Sequence, residues 1–447
     1  MIPAARAAAP ALGRVSPRLR RWQRARSGWR SALERAHSLQ GGGRPEPLWL
    51  HGSSAGELMQ ARPLLLELRR RLPERPLVYT YGSPSAEPFL DRLGPVDLAL
   101  PLPLDGRAEM RSLFDALRPA ALALVDAELW PGLLLEAERR DVPAALVAGR
   151  LGPGSRRLAA AARPLHRALL RTLRLVGAVD ERSADAFREA GAARACVAVT
   201  GDPRVDEVLA DAGPPDAPLR RAGLDLPLLV AGSTWAEDEA VLLDACARLR
   251  RDGPAFALVL APHGTDEPRL RDVERRLDGA GLRHRRWSGG DGGSARRTGR
   301  PDDPASLVRD SLAEAPGRVL LVDRVGVLRA LYSSAAAAWV GGGFRGALHN
   351  VMEPAARGAA VVTGPRTGRA WIAEPLERAG GLFRVRSAGE AAGLLERLLG
   401  DGEWAARAGA RGRAVLEERA GATTATIAAL ATAGWLPQPA TGAAPAR

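Results

Sequence analysis

Several stretches of the chain place acids, hydroxyls and glycines just where short apolar runs end, the position from which side chains reach a ligand. The first reads Leu50-His51-Gly52-Ser53-Ser54-Ala55-Gly56-Glu57. A carboxylate just past such a Gly-rich turn can take the proton from an attacking hydroxyl, the work of a general base. The same spacing, Ser54-x-x-Glu57, also spells a capping box, in which the Glu returns to the amide at its own helix start. Spacing alone leaves both roles open for Glu57. Further on, Val125-Asp126-Ala127-Glu128-Leu129-Trp130-Pro131 brackets a strand end with two acids. These suit orientation of a polyol, or simply the start of a helix whose first turn carries a proline. Gly201-Asp202-Pro203-Arg204-Val205-Asp206 offers Arg204, whose planar fork fits a carboxylate or a phosphate but is also an ordinary surface group.

The second half of the chain repeats the theme. Gly232-Ser233-Thr234-Trp235-Ala236-Glu237 follows an apolar run and opens a helix. Amides at such a start, with the Ser233 and Thr234 hydroxyls, make an anion site; Thr234 with Glu237 is the capping alternative. Val340-Gly341-Gly342-Gly343 leads to His349-Asn350-Val351-Met352-Glu353-Pro354. Gly341 and Gly342 let backbone approach a ligand closely. His349 and Asn350 suit a phosphate and Glu353 two ribose hydroxyls, whereas Asn350 and Glu353 also suit a helix cap.

The elements that must position these residues follow from patterning. From Pro47, apolar runs at 48–51, 77–81, 97–102, 121–125, 144–148, 175–179 and 197–200 alternate with helical stretches such as 58–72 and 181–190. After a Pro-rich segment they resume at 228–231, 257–260, 319–322, 337–340 and 360–363. Near-continuous apolar strands separated by helices predict parallel sheets covered on both faces. The fold class is therefore α/β, two doubly wound, Rossmann-like domains, with ligands at the carboxyl ends of the strands. The boundaries read as an N-terminal arm 1–46, a first domain 47–210, a linker 211–218, a second domain 219–420, and a helix end and tail 421–447. Residues 288–304 read as a flexible Gly/Ser/Arg loop within the second domain.

Of 447 residues, 46% are hydrophobic and 26% charged, which excludes a wholly disordered chain. Cys196 and Cys246 are too few and too far apart for a disulfide framework or a CxxC metal site. The net charge is +13, every basic side chain other than His is Arg, and residues 1–47 alone contribute +8. Charge confined to the arm argues against nucleic acid as the partner of the body. The arm lacks an apolar run of the ~20 residues that span a bilayer. Leu19, Trp22, Trp29 and Leu33 among its arginines suit a membrane surface, or equally a helix packed on its own domain.

Taken together and in order, these stretches resemble the Kdo transferases, which move 3-deoxy-D-manno-oct-2-ulosonic acid from CMP-Kdo onto a lipid A precursor. The family pattern H-x-x-S-x-G-E is met letter for letter at its fixed positions from His51 to Glu57; E-x-E-L-W-P appears as Asp126–Pro131, with Asp126 for the first Glu, and G-N-x-K-x-D as Gly201–Asp206, with Asp202 for Asn and Arg204 for Lys. The S-T region is matched approximately by Ser233 and Thr234 with Asp238 or Glu239, and G-G-S…G-G-H-N-x-x-E appears as Gly341–Gly343, with Gly343 for Ser, followed by His349, Asn350 and Glu353. The likeness runs from about Leu48 to about Arg386.

The resemblance implies a GT-B glycosyltransferase, two Rossmann-like domains facing a central cleft, acceptor on the first and nucleotide on the second. It makes Glu57 the general base and places Ser54, Gly56, Glu128 and Arg204 near acceptor or sugar acid. Ser233, Thr234, Gly341, Gly342, His349, Asn350 and Glu353 become nucleotide-binding. It implies no cofactor and no metal, with CMP-Kdo as donor substrate. The partners would be CMP-Kdo, a lipid A precursor and, through the basic arm, the cytoplasmic face of a Gram-negative inner membrane. Four positions depart from the pattern: Gly149-Arg150 stands where an Asn is expected, Ala261-Pro262-His263 lacks an arginine, Ala347-Leu348 replaces two glycines, and an Asn expected after Gly364-Pro365 is missing. The alternatives are another GT-B enzyme, a UDP-sugar transferase or a sugar-nucleotide 2-epimerase, and a non-catalytic basic binding protein.

Overall fold

The computed structural model describes residues 26–36, 39, 44–126, 129–152, 155, 162–213, 226–287, 312, 315–368 and 370–436. The chain forms two units, Met1–Glu207 with Gly421–Arg447, and Val208–Ala420. Each is built on a seven-stranded sheet whose paired strands are all parallel. Strands buried along their whole length, such as Leu77–Tyr81 and Ala121–Val125, explain why these segments read as unbroken apolar runs.

The first sheet has the order β3-β2-β1-β4-β5-β6-β7. Its strands are β1 Leu48–His51, β2 Leu77–Tyr81, β3 Leu98–Pro101, β4 Ala121–Val125, β5 Ala144–Gly149, β6 Leu173–Ala178 and β7 Val197–Val199. The second has the order β10-β11-β9-β8-β12-β13-β14. Here the strands are β8 Leu228–Thr234, β9 Ala257–Pro262, β10 Arg285–Arg286, β11 Val319–Leu321, β12 Ala337–Val340, β13 Ala360–Thr363 and β14 Leu382–Arg384. Strand order reverses between β1 and β4 in one sheet and between β8 and β12 in the other. Those are the switch points at which open α/β sheets bind ligands.

Two segments distant in sequence complete the first unit. The helix Ala422–Thr432 packs Ile427 and Leu430 in one apolar cluster with Trp435, Leu48, Leu58, Leu64 and Leu68. Burying each large side chain contributes roughly 1.5–3 kcal/mol. The Trp435 indole N–H donates to the Leu122 carbonyl at 2.8 Å. The Asp206 carboxylate accepts from the amides of Gly421 and Thr423 at 2.6 Å each, at the start of that helix. Residues 421–436 are thus a structural part of the first unit rather than the frayed end of the second.

For part of the N-terminal segment the second of its two readings holds. Over residues 26–36 it is docked on its own unit: Trp29, Ala32 and Ala36 are buried in a cluster with Trp49, Leu98, Leu100 and Phe114. The buried Arg26 guanidinium donates to the carbonyls of Gly82, Leu102 and Pro103 at 3.0–3.1 Å. Trp29 is therefore a core residue and not a membrane-facing one; Leu19 and Trp22 lie outside the described residues. So do the loop 288–304, most of the linker (214–218) and the tail from Pro437. No helix among the described residues is long and apolar enough to cross a membrane.

Candidate functional site

In the first unit the carboxyl ends of β1, β4 and β5, with the loop after β7, gather a charged cluster. Glu57 lies in the first turn of the helix Ala55–Arg71, which starts four residues after β1. Its Oε2 accepts the Ser54 backbone N–H, so the capping bond that the spacing allows is formed and sets the rotamer. The side-chain stem lies against the strand end. A Cβ on Gly52 would sit 2.8 Å from the Glu57 Cβ and 2.7 Å from the Tyr79 hydroxyl, which itself donates to the Gly52 carbonyl at 2.9 Å. Only glycine admits that approach. Gly56 carries no such constraint, with 3.7 Å to its nearest neighbour.

Arg150, one residue beyond β5, grips Asp126, one residue beyond β4. Its Nε donates to Oδ1 at 3.1 Å and its Nη2 to Oδ2 at 2.5 Å. The two-pronged geometry is the strong form of an Arg–carboxylate pair. Burial opposes charge on Arg150, but its hydrogen bonds to Asp126 and the charges of Asp126, Asp202 and Glu57 outweigh it and raise its pKa. Asp202, fully buried, is held by Arg204 through Nε at 3.1 Å and Nη2 at 2.5 Å. Gln60 of the Glu57 helix also reaches it, at 3.4 Å. The cluster thus comprises Glu57, Asp126, Asp202, Arg150 and Arg204. Glu128 lies outside the described residues.

Strain marks these strand ends. Asp126 (φ 64°), Ala148 (φ 50°) and Ser233 (φ 54°) adopt left-handed backbone without being glycine, at a cost of order 1–3 kcal/mol each. A register shift between β5 and β6 spans Leu146–Gly149, and such irregularities re-aim the residue that follows, here Arg150.

His51 is structural. It is fully buried, its Nδ1 lies 2.9 Å from the Thr80 hydroxyl, and its ring meets Trp130 edge-on at 5.9 Å. Burial, aided by the charge of Arg26, pushes its pKa down to about 3.

In the second unit the loops after β8, β9, β12 and β13 interlock. Gly341, Gly342 and Gly343 have no room for a Cβ, which would fall 2.2 Å from the Ser233 carbonyl, 2.1 Å from the Ala347 carbonyl and 2.4 Å from the Gly364 amide, respectively. The buried Asp238 carboxylate ties the loops together, accepting the amides of Gly342 at 2.7 Å and Trp235 at 3.0 Å. Burial raises its pKa and the amides partly offset that. Thr234 faces inward: its hydroxyl donates to the buried Glu239 at 2.8 Å, and Glu239 is also paired with Arg269. Ser233 is half-exposed. The Asn350 Oδ1 accepts the Met352 amide at 3.0 Å in a local turn ahead of the helix Met352–Ala356, whose N-cap is Val351, so Asn350 is not the cap that the spacing allowed; Glu353 lies 3.4 Å from the Arg329 Nε. His349 accepts from the Trp235 indole and stacks with His263 at 4.7 Å.

The structure therefore brings Glu57, Ser54 and Arg204 to one end of the first sheet. It brings Ser233, Gly341, Gly342, His349, Asn350 and Glu353 to the equivalent end of the second. Thr234 supports that site from beneath. Arg150, Trp235 and Arg345 were not singled out from the sequence as site residues. Each stands in a loop after a strand, and that position was the available signal. Among the described residues, no three His, Cys, Asp or Glu side chains converge as a ligand set for a metal.

Residues 13–207 match the family described as 3-deoxy-D-manno-octulosonic-acid transferase (kdotransferase). The chain is 29% identical to the 3-deoxy-D-manno-octulosonic acid transferase of Bordetella pertussis over 72% of each chain. It is 26% identical to that of Aquifex aeolicus over 79% of this chain and 86% of the relative. Among solved structures it is similar to the UDP-GlcNAc 2-epimerase of Neisseria meningitidis (TM-score 0.59, 14% identity, 87% of this chain and 100% of the other). It is likewise similar to Anabaena HepE in complex with UDP (TM-score 0.57, 13% identity, 88% and 100%). The fold is that of two Rossmann-like units of the GT-B type.

Proposed function

We propose that this chain, which is similar to the Kdo transferase family over residues 13–207 and to Kdo transferases at 26–29% identity, is a glycosyltransferase of that kind that transfers Kdo from CMP-Kdo to a lipid A precursor, with inversion and with Glu57 as base. The observation that carries this reading is the placement of Glu57 at the β1 switch point among Arg150, Asp126, Asp202 and Arg204. A carboxylate offers about four lone-pair sites on two oxygens. One amide bond can therefore fix its direction while a substrate hydroxyl uses another site. Glu57 removes the proton of the acceptor hydroxyl, whose oxygen forms the new bond to the anomeric carbon. The bond from that carbon to the CMP phosphate breaks, and CMP takes the electron pair.

The leaving group is an anion. Preorganised donors aimed at developing charge are the usual means of stabilising it; in the second unit Ser233, His349 and Arg345 supply them, while the Gly341–Gly343 loop, whose Gly341 and Gly342 amides are held by the Gly232 carbonyl and Asp238, gives the ligand close approach to the backbone. The reaction so written needs no metal ion. A lipid acceptor places the work at a membrane surface, the cytoplasmic face of the inner membrane in a Gram-negative cell.

Calorimetric titration of CMP and of UDP into the purified protein tests the donor assignment. Binding of CMP in preference to UDP supports it. Binding of UDP but not CMP overturns it.

A further inference from the structure

Trp235, the N-cap residue of the helix Ala236–Asp252, makes no cap hydrogen bond with its side chain; its ring belongs instead to a group of planar side chains. Its indole N–H donates to His349 Nε2 at 3.1 Å. The two rings are within 11° of parallel with centres 6.4 Å apart. That separation is too long for a face-to-face stack and fits rings meeting edge to edge in nearly one plane. His263 lies across both partners, 4.2 Å from the Trp235 ring and 4.7 Å from His349, tilted 28° to each. The Arg345 guanidinium carbon is 4.2 Å from the centre of the Trp235 ring. The indole orientation is therefore fixed by contacts on its face as well as at its edge.

The consequence is chemical. An indole N–H only donates, so the His349 nitrogen it meets must offer a lone pair. A neutral imidazole has one nitrogen of each kind, and which one carries the proton is set by the hydrogen bond made by the other. With Nε2 accepting, the proton of His349 sits on Nδ1. Burial, with His263 beside it, lowers the His349 pKa to about 4, so the ring is neutral near pH 7. No acceptor among the described residues is hydrogen-bonded to Nδ1, and His349 is tied back to the glycine loop, its own amide donating to the Gly341 carbonyl at 3.1 Å.

We infer that Trp235 is a positioning residue for the donor site: it locks His349 in the Nδ1–H tautomer, as a neutral donor to a phosphate oxygen of the nucleotide sugar. This rests on the reading of the second unit as the nucleotide-binding one. Trp235 acts through His349; it fills a variable position in the S-T-x-x-x-E pattern, so its effect belongs to this chain rather than to the motif.

The test uses the full-length protein with labelled histidine nitrogens, the His349 signals being assigned by their loss in His349→Ala. Ring 15N spectra at pH 7 report the tautomer and CMP calorimetry reports affinity, each in wild type, Trp235→Phe, His349→Ala and the double variant. The expected wild-type result is a protonated Nδ1 and an unprotonated Nε2. In Trp235→Phe, which keeps an aromatic ring but not the N–H, the tautomer shifts or mixes and CMP binding weakens by roughly five- to tenfold, as the competent form loses population. The double variant then binds CMP no more weakly than His349→Ala alone, because the two residues act as one unit.

A wild-type His349 protonated on Nε2, or an unchanged tautomer or CMP affinity in Trp235→Phe, overturns the inference while leaving CMP binding by wild type in place. A wild-type protein with the expected tautomer that binds no CMP overturns instead the nucleotide reading, and with it the role given to the lock.

Discussion

Glu57 carries two physical roles that one pair of substitutions separates. Its carboxylate caps the helix Ala55–Arg71 through the Ser54 amide, and in the proposed reaction it takes a proton. Glutamine keeps a carbonyl oxygen able to accept the same amide bond but cannot serve as a base. Alanine removes both functions and keeps the Cβ that faces Gly52. Loss of a cap costs about 0.5–2 kcal/mol, which in a domain of this size lowers Tm by about 2–4 °C per kcal/mol. Loss of a general base costs about 10²- to 10⁴-fold in rate, roughly 2.7–5.5 kcal/mol of barrier. Initial rates of CMP release with saturating acceptor, measured beside thermal melts, resolve the two. Glu57→Gln is expected to melt within about 1 °C of wild type yet lose at least about 100-fold in kcat. Glu57→Ala is expected to lose the same rate and also a few degrees. If the glutamine variant turns over within about threefold of wild type while the alanine variant only melts earlier, Glu57 is a cap and the proposed mechanism is refuted.

Three further outcomes follow from the geometry. His51 is held neutral with a folded pKa of about 3, below its ordinary 6.5. The unfolded chain therefore binds the proton first on acidification, and this stabilisation, complete above about pH 6.5, drains away as pH falls toward 3. Between pH 7 and 4.5 that amounts to about 3 kcal/mol; urea unfolding of His51→Gln at the two pH values should show a drop smaller by about that amount, and an identical drop would contradict the argument. Asp238→Ala orphans the buried amides of Gly342 and Trp235, each worth about 1–3 kcal/mol. Denaturant melts should show a loss of about 2–5 kcal/mol, with weaker CMP binding by calorimetry, whereas Asp238→Asn retains an acceptor and should lose less. Arg150→Ala strips Asp126 of its two-pronged partner and should lower kcat/KM about 10- to 100-fold; steady-state kinetics with unchanged values would remove Arg150 from the site.

Much of this architecture is readable in the amino-acid pattern, for a physical reason. A strand buried on both faces, such as Leu77–Tyr81, must be apolar throughout, and a Gly-rich turn after it marks the carboxyl end. The strands β10 and β14 escaped notice because two or three residues, Arg285–Arg286 and Leu382–Arg384, carry no period. Glu57 could not be assigned by spacing because cap and base ask for the same residue in the same place. Trp29 could not be assigned to membrane surface or to core from the sequence, since an amphipathic segment looks alike whether its apolar face meets lipid or protein; only the docked helix distinguishes them. The helix Ala422–Thr432 is rich in Ala, so nothing in its letters says which unit it will cover. Arg150 and Trp235 acquire their roles from neighbours more than 20 and 100 residues away, Asp126 and His349, pairings that no local pattern encodes.

The most direct measurement is product analysis by mass spectrometry after incubating the purified full chain with CMP-Kdo and a lipid A precursor. The account predicts a lipid product heavier by a Kdo unit, with one CMP released for each Kdo added, and loss of both in Glu57→Gln. Unmodified lipid with CMP-Kdo left intact, alongside consumption of a UDP-sugar by the same preparation, would contradict it.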